Sequence, residues 1–134
     1  MIMTVDPVLQ SPAFVDAIRN PKDPNHLMVI KPVTRNIRVF GGETLLAETT
    51  NAIRVMEVGR SVYDPVIYVP ANSLQSPFSE LSKSTHCPIK GDASYVAIGG
   101  DEIGWVYKTP LQMSLQLKNH YAFWPDKVRI VEGK

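Results

Sequence analysis

Short runs of alternating hydrophobic and polar residues fill most of the chain after residue 26. A side-chain period of two, with many β-branched residues, is typical of strands that bury one face. We predict strands in "HLMVIK", "RNIRVF", "ETLLAET", "AIRVMEV", "DPVIYVP", "ASYVAI", "IGWVYK" and "YAFWPDKVRIVE". About eight short strands with so little helical pattern predict a mainly antiparallel β fold.

Pairs of glycines mark the tightest turns. Gly41-Gly42 lies between "IRVF" and "ETLLAET", and Gly99-Gly100 lies between "ASYVAI" and "IGWVYK". Two-residue hairpin turns need positive φ, which glycine adopts without strain. We therefore expect a β-hairpin at each pair, and a further hairpin around Pro125-Asp126 near the end of the chain.

Helical patterns are few. "SPAFVDAIRNP" predicts a short helix that begins at Ser11 as its N-cap and ends at Asn20. "PLQMSLQL" fits either a short helix or an irregular crossover. We divide the chain into an N-terminal extension with this helix, residues 1–25, and a single β domain, residues 26–134, and we expect residues 1–10 to be dispensable.

The least regular stretch is residues 70–91, "PANSLQSPFSELSKSTHCPIKG", which we predict to be a loop with at most one helical turn. A long loop in a compact domain is usually functional or mobile. This stretch contains Cys87, the one cysteine of the chain, with Lys90 three residues later. We therefore look for a site here.

Composition narrows the classes of protein. With 134 residues and 44% hydrophobic content, one domain can bury a core without disulfides. The formal net charge of +1 gives no electrostatic reason to expect nucleic acid or a membrane surface as partner. No apolar run approaches the roughly 18 residues of a membrane span. One cysteine cannot form an intramolecular disulfide, so we expect a reducing, cytoplasmic location, and we assign no metal and no cofactor.

The backbone around Cys87 is constrained by its neighbours. Pro88 pushes Cys87 towards extended backbone, and Gly91 permits a chain reversal. If Cys87 and Lys90 face one pocket, the ammonium would stabilise the thiolate and make it reactive. Both are therefore candidate catalytic residues. The alternative is that Cys87 fills space in the core while Lys90 caps a carbonyl or stays solvated. His86 should point away from Cys87 in an extended segment.

The order of sequence landmarks resembles one known family. "RVFGGETLLAET", "YVP", "STHCPIKGDASY", "GWVYKTP" and "YAFWPDKVRI" follow one another as in the domain of unknown function 427 family, over about residues 26–132. The family motif falls on Tyr68, Pro70, Thr85, Cys87, Pro88, Lys90, Gly91, Ala93, Tyr95, Trp105, Tyr107, Pro110 and Phe123. Val69 replaces the usual phenylalanine of the family, and Ser73 replaces a frequent acidic residue.

The resemblance implies a compact β domain of antiparallel coiled sheets or a partly open barrel, of the β-tent type, with one or two short helices. It implies no reaction, because the function of the family is not established. Some members carry a nucleotidyltransferase label, but no Asp-x-Asp pair follows Gly41-Gly42 as a metal-dependent transfer would need.

Aromatic residues supply candidate walls for a pocket. Trp105 and Tyr107 share one face of a strand, and Tyr95 lies opposite them across a hairpin. With Tyr68 and Thr85, they are our candidate ligand-binding residues.

Three hypotheses remain open. The domain binds or acts on a small molecule around Cys87 and Lys90, or it is a thiol redox module that needs an external thiol, or it is a structural or partner-binding domain without catalysis. The sequence does not decide whether the chain is an enzyme or which oligomer it forms.

Overall fold

A computed structural model describes residues 16–133 and is mainly β, as predicted, with 60% of these residues in strands and 8% in helical turns. The described strands are β1 (Ile18–Asn20), β2 (Asp23–Pro32), β3 (Ile37–Gly41), β4 (Thr44–Thr49), β5 (Ile53–Val58), β6 (Val66–Pro70), β7 (Ser79–Cys87), β8 (Gly91–Ile98), β9 (Asp101–Val106), β10 (His120–Phe123) and β11 (Arg129–Glu132). Two short 3-10 helices span Ala71–Ser73 and Gln112–Leu117. No helix within this part of the chain is long and apolar enough to cross a membrane.

The strands form two antiparallel sheets. The large sheet has the order β1-β2-β5-β6-β10-β9-β8-β7, and the small one has the order β11-β3-β4. Val69 and Tyr68 are neighbours on β6 and belong to different apolar clusters. Because successive side chains of a strand point to opposite faces, the large sheet has a core on each face. The small sheet covers the face that carries Val69, since Ile37 and Val39 of β3 pack in the same cluster.

The large sheet curls around its other face. β5 is third in the strand order and β8 is seventh, which would separate them by roughly 20 Å in a flat sheet with strands about 4.8 Å apart. Lys90, next to the start of β8, nevertheless contacts Glu57 of β5. β5 and the start of β8 therefore approach one another across the cluster that contains Tyr68.

Both glycine-pair hairpins are confirmed. The first turn is shifted by one residue from the prediction, since Gly41 is still paired with Thr44 and the turn residues are Gly42 and Glu43. β8 and β9 pair on either side of Gly99-Gly100. Gly42, Gly99 and Gly100 have φ values of 60°, 57° and 82°. A β-carbon at any of these three positions would meet no atom within 4 Å, so the turns require glycine for its backbone conformation rather than for close packing.

The hairpin predicted around Pro125-Asp126 is wrong. β10 pairs with β6 and β9 in the large sheet, whereas β11 pairs with β3 in the small sheet. Proline keeps φ near −65° and cannot adopt the positive φ that a tight hairpin turn requires. The turn carries the chain from one sheet to the other instead.

The prediction of a loop over residues 70–91 is wrong for Ser79–Cys87, which forms β7. This strand pairs with β8 from Ser79 opposite Ala97 to Cys87 opposite Gly91, with an irregularity between Glu80 and Ser84. β7 is at the edge of the large sheet and most of its residues are exposed. Its polar composition therefore lacks the apolar alternation of a strand with one buried face.

The helix predicted over residues 11–20 is wrong where it can be compared with the structure. Residues 11–15 lie outside the described residues, as do residues 1–10, which we expect to be dispensable. Ile18–Asn20 forms β1, which pairs with β2. β2 begins at Asp23 and so crosses the domain boundary predicted after residue 25. Within the "PLQMSLQL" stretch, Gln112–Leu117 is 3-10 helix with a kink at Ser114.

Candidate functional site

The turn between β7 and β8 is held from outside by the second 3-10 helix and the residue before it. The backbone N–H of Leu111 donates to the Lys90 carbonyl at 2.9 Å, and the Ser114 hydroxyl donates to the Ile89 carbonyl. Gly91 has a φ of 108°, and a β-carbon there would approach the Leu111 nitrogen to 3.1 Å. Glycine is therefore required at 91, both for its backbone conformation and for this close approach.

Lys90 leads from this turn into a largely buried cluster of ionisable groups. Its Nζ donates to Oε1 of Glu57, and the second oxygen of Glu57 lies 2.7 Å from Nε2 of His26. The side chains of Lys90, Glu57 and His26 are only 11%, 17% and 15% exposed. The carboxylate of Glu57 on β5 thus links His26 of β2 with Lys90, which directly precedes β8 on the other side of the same sheet.

The electrostatics of Glu57 reflect two opposing effects. Burial alone would raise the pKa of its carboxyl group, because a low-dielectric environment disfavours the charge. The hydrogen bonds and charges of Lys90 and His26 together outweigh burial and lower the pKa below its ordinary value of 4.5. Glu57 is therefore ionised at neutral pH.

A cavity of about 200 Å³ opens beside this cluster. Lys90 and Glu57 form part of its wall, and Val55, Val66 and Asp64 contribute further lining. The aromatic side chains that line it are Tyr63, Tyr68, Tyr95, Trp105, Tyr107 and Trp124. The cavity is thus mostly aromatic, with charged groups on one side.

The aromatic walls are fixed by mutual contacts. Trp105 Nε1 donates to the Tyr68 hydroxyl at 3.0 Å, and the two rings meet edge to face. The ring centroids of Trp105 and Trp124 are 4.5 Å apart, and Trp124 lies nearly parallel to Tyr95. The Tyr95 hydroxyl is 2.7 Å from Oγ1 of Thr85. Such edge and stacked contacts pre-organise the walls.

The hydroxyl groups of Tyr68 and Tyr107 stay protonated. Burial raises the pKa of both groups well above the ordinary value of 10, and neighbouring ionisable groups add to the shift for Tyr107. For Tyr68, the hydrogen bond from Trp105 opposes burial without cancelling it. At neutral pH both side chains are neutral.

The structure brings most of the candidate residues together. Lys90, Tyr68, Tyr95, Trp105 and Tyr107 all line the cavity. Thr85 does not line it, but Thr85 hydrogen-bonds to Tyr95, which does.

Cys87 lies elsewhere. It is partly buried and packs against the apolar cluster that contains Tyr68, and it is not among the residues that line the cavity. His86 is largely exposed and pairs with Asp92, so it points away from Cys87, as the extended backbone predicts.

The sequence profile of a family described as Domain of unknown function (DUF427) matches residues 29–134. The chain belongs to this family. A search of curated proteins finds no match for the chain. The matched region starts inside β2 and includes the turn, the charged residues Glu57 and Lys90, and every aromatic residue that lines the cavity of this DUF427 domain.

Val69 and Ser73, where the resemblance led us to expect other residues, lie outside the cavity wall. Val69 is fully buried in the core between the two sheets. Ser73 is buried in the first 3-10 helix, where its hydroxyl donates to the Pro70 carbonyl at 2.6 Å. Neither residue lines the cavity.

Sequence reasoning missed seven residues of the site in this DUF427 domain: His26, Val55, Glu57, Tyr63, Asp64, Val66 and Trp124. A signal existed for Glu57, since it is in phase with the buried Val55 and therefore faces the enclosed side of β5. A buried lysine also requires a partner of opposite charge. Across residues 16–133, no three His, Cys, Asp or Glu side chains converge as metal ligands would.

Proposed function

We propose that this DUF427 domain binds a small molecule in the cavity beside Lys90. The observation that supports this most is the nearly buried cluster of Lys90, Glu57 and His26 against an aromatic cavity. Desolvation offsets much of the attraction within a buried ion pair, so stability alone gives little reason to maintain one. A carboxyl group beside a cavity whose pKa is shifted by burial and specific charged partners, as that of Glu57 is, is a recurrent feature of functional sites.

The size of the cavity limits the ligand. A volume of about 200 Å³ corresponds to about seven water molecules at roughly 30 Å³ each. Pockets for drug-sized ligands start near 300 Å³. A molecule with one ring, or an aliphatic group of similar size, matches this space.

The chemistry of the walls supports binding rather than a defined reaction. The aromatic rings offer flat apolar surfaces, and the neutral Tyr107 hydroxyl can donate a hydrogen bond. Lys90 and Glu57 supply charge at one side of the cavity. Cys87 enters the proposal only as part of the apolar packing behind the wall.

A fragment screen by nuclear magnetic resonance tests the proposal. The chain has two tryptophans, and both Trp105 and Trp124 line the cavity, so their indole N–H signals report on it directly. We expect single-ring compounds at millimolar concentration to shift both signals.

Two variants make the test specific. Val66→Phe places a larger side chain in the cavity and should abolish the shifts. Val62→Phe is the matched control, because Val62 is 78% exposed and does not line this cavity. The proposal is contradicted if no compound shifts the indole signals, or if binding survives Val66→Phe.

A further inference from the structure

We infer that the cavity selects a small organic cation that carries an ammonium group. This inference rests on the proposed function and adds the class of ligand. Three observations support the inference: the charges that face the cavity, the hydrogen bonds of the indole N–H groups, and the contact between the Lys83 ammonium and the aromatic cluster.

The charges at the cavity favour a cation. Its charged lining consists of Glu57, Asp64 and Lys90. Lys90 is paired with Glu57, so it is not free to receive an anion. Asp64 takes part in none of the ion pairs formed by residues 16–133 and is exposed at the cavity. The carboxylate of Asp64 is therefore the charged group of the cavity wall that can pair with a ligand.

The tryptophans present ring surface to the cavity rather than hydrogen-bond donors. The N–H of Trp105 is used by the Tyr68 hydroxyl, and the N–H of Trp124 donates to Glu102 at 2.8 Å. A ligand that needs donors, such as an anion, gains nothing from either indole. The face of an indole carries negative potential and attracts cations more strongly than the other aromatic rings do.

A cation of the protein itself already contacts this aromatic cluster. The ammonium group of Lys83 lies 4.2 Å from the ring centroid of Tyr95, which stacks on Trp124. The same ammonium pairs with Glu102, the acceptor for Trp124. The cluster thus stabilises a positive charge next to Tyr95, and the cavity offers further ring surface with Asp64 as a counter-ion.

The test compares two molecules of one shape. Choline and 3,3-dimethylbutan-1-ol differ in having a quaternary nitrogen or a carbon atom at the centre of the head group. Binding is followed by tryptophan fluorescence and by the indole N–H signals of the whole chain. We expect choline to bind about tenfold more tightly than the alcohol, because only choline gains the cation–π attraction.

Variants assign the counter-ion. Asp64→Asn should weaken choline binding by about threefold to tenfold and leave binding of the alcohol unchanged. Asp126→Asn is the control, because Asp126 is exposed and does not line the cavity. If Asp64→Asn leaves choline binding unchanged, Asp64 is not the counter-ion and the charge argument is overturned.

The outcomes separate this inference from the proposed function. If the alcohol binds as tightly as choline, selection for a cation is overturned while binding at the cavity stands. If neither molecule binds, the inference is overturned, and the fragment screen decides independently whether the proposed function falls with it.

Discussion

Glu57 is the single residue on which the charged cluster depends, since it binds both Lys90 and His26. Its pKa is lower in the folded protein than in the unfolded chain, so the unfolded state takes up protons first as the pH falls. The stabilisation is fully present above about pH 4.5 and is lost as the pH falls through the lower folded-state pKa. We expect the free energy of unfolding, measured in urea between pH 6 and pH 3, to decrease over this interval.

The variant Glu57→Gln isolates this effect. It should lower stability at pH 7 by about 3 kcal/mol, because it leaves Lys90 nearly buried without its counter-charge. The decrease in stability between pH 5 and pH 3 should then be shallower than in the native protein. Glu43→Gln, at an exposed residue of the first hairpin, is the control. An unchanged acid profile in Glu57→Gln would contradict the role assigned to this carboxylate.

Tyr68 and Tyr107 should make the free energy of unfolding decrease as the pH rises, whereas Glu57 makes it decrease as the pH falls. Their pKa values are raised by burial, so their stabilising contribution is complete below about pH 10 and is lost as the pH rises further. Of the five tyrosines, we expect these two to ionise only when the protein unfolds, in a titration followed by absorbance near 295 nm. Tyr107→Phe should reduce the amplitude of this late step. A native protein in which all five ionise before unfolding would overturn the prediction.

At the level of elements, the second 3-10 helix, Gln112–Leu117, acts as a brace for the turn that carries Lys90. The hydroxyl of Ser114 is fully buried and donates to the Ile89 carbonyl. Ser114→Ala would leave this buried carbonyl without its partner, which costs about 1–3 kcal/mol. We expect a corresponding loss in the free energy of unfolding. Ser61→Ala, at an exposed serine, should change it by less than about 0.5 kcal/mol.

Elements were predictable where one local signal determined them. Gly42 and the pair Gly99-Gly100 determine their hairpins because the positive φ that each of them adopts is a local property. β7 was missed because an edge strand with both faces largely exposed needs no apolar alternation. β1 was missed because Ile18 satisfies a helical and a strand pattern equally well in so short a segment.

At the level of the whole molecule, the pairing of distant strands could not be predicted from the sequence. The order of the large sheet brings β6 next to β10, and the curl brings Glu57 to Lys90, 33 residues away. Such contacts depend on how whole faces pack, which a local period does not encode. Part of the aromatic wall could be predicted, since Trp105 and Tyr107 differ by two positions, but Tyr63 and Trp124 were missed. Of the acidic residues at the cavity, Glu57 was indicated by its phase with Val55, whereas no local signal indicated Asp64.

The polarity of β7 also has a consequence for how the molecule behaves in crowded solution. A strand at the edge of a sheet exposes unpaired N–H and C=O groups that can recruit the edge of another molecule and start aggregation. β7 carries serine, threonine and the charged residues Glu80 and Lys83 along its length, and its register is interrupted between Glu80 and Ser84. Charges and irregular pairing at an edge discourage such contacts. The same polar composition that made β7 unrecognisable as a strand therefore disfavours edge-to-edge pairing between separate molecules.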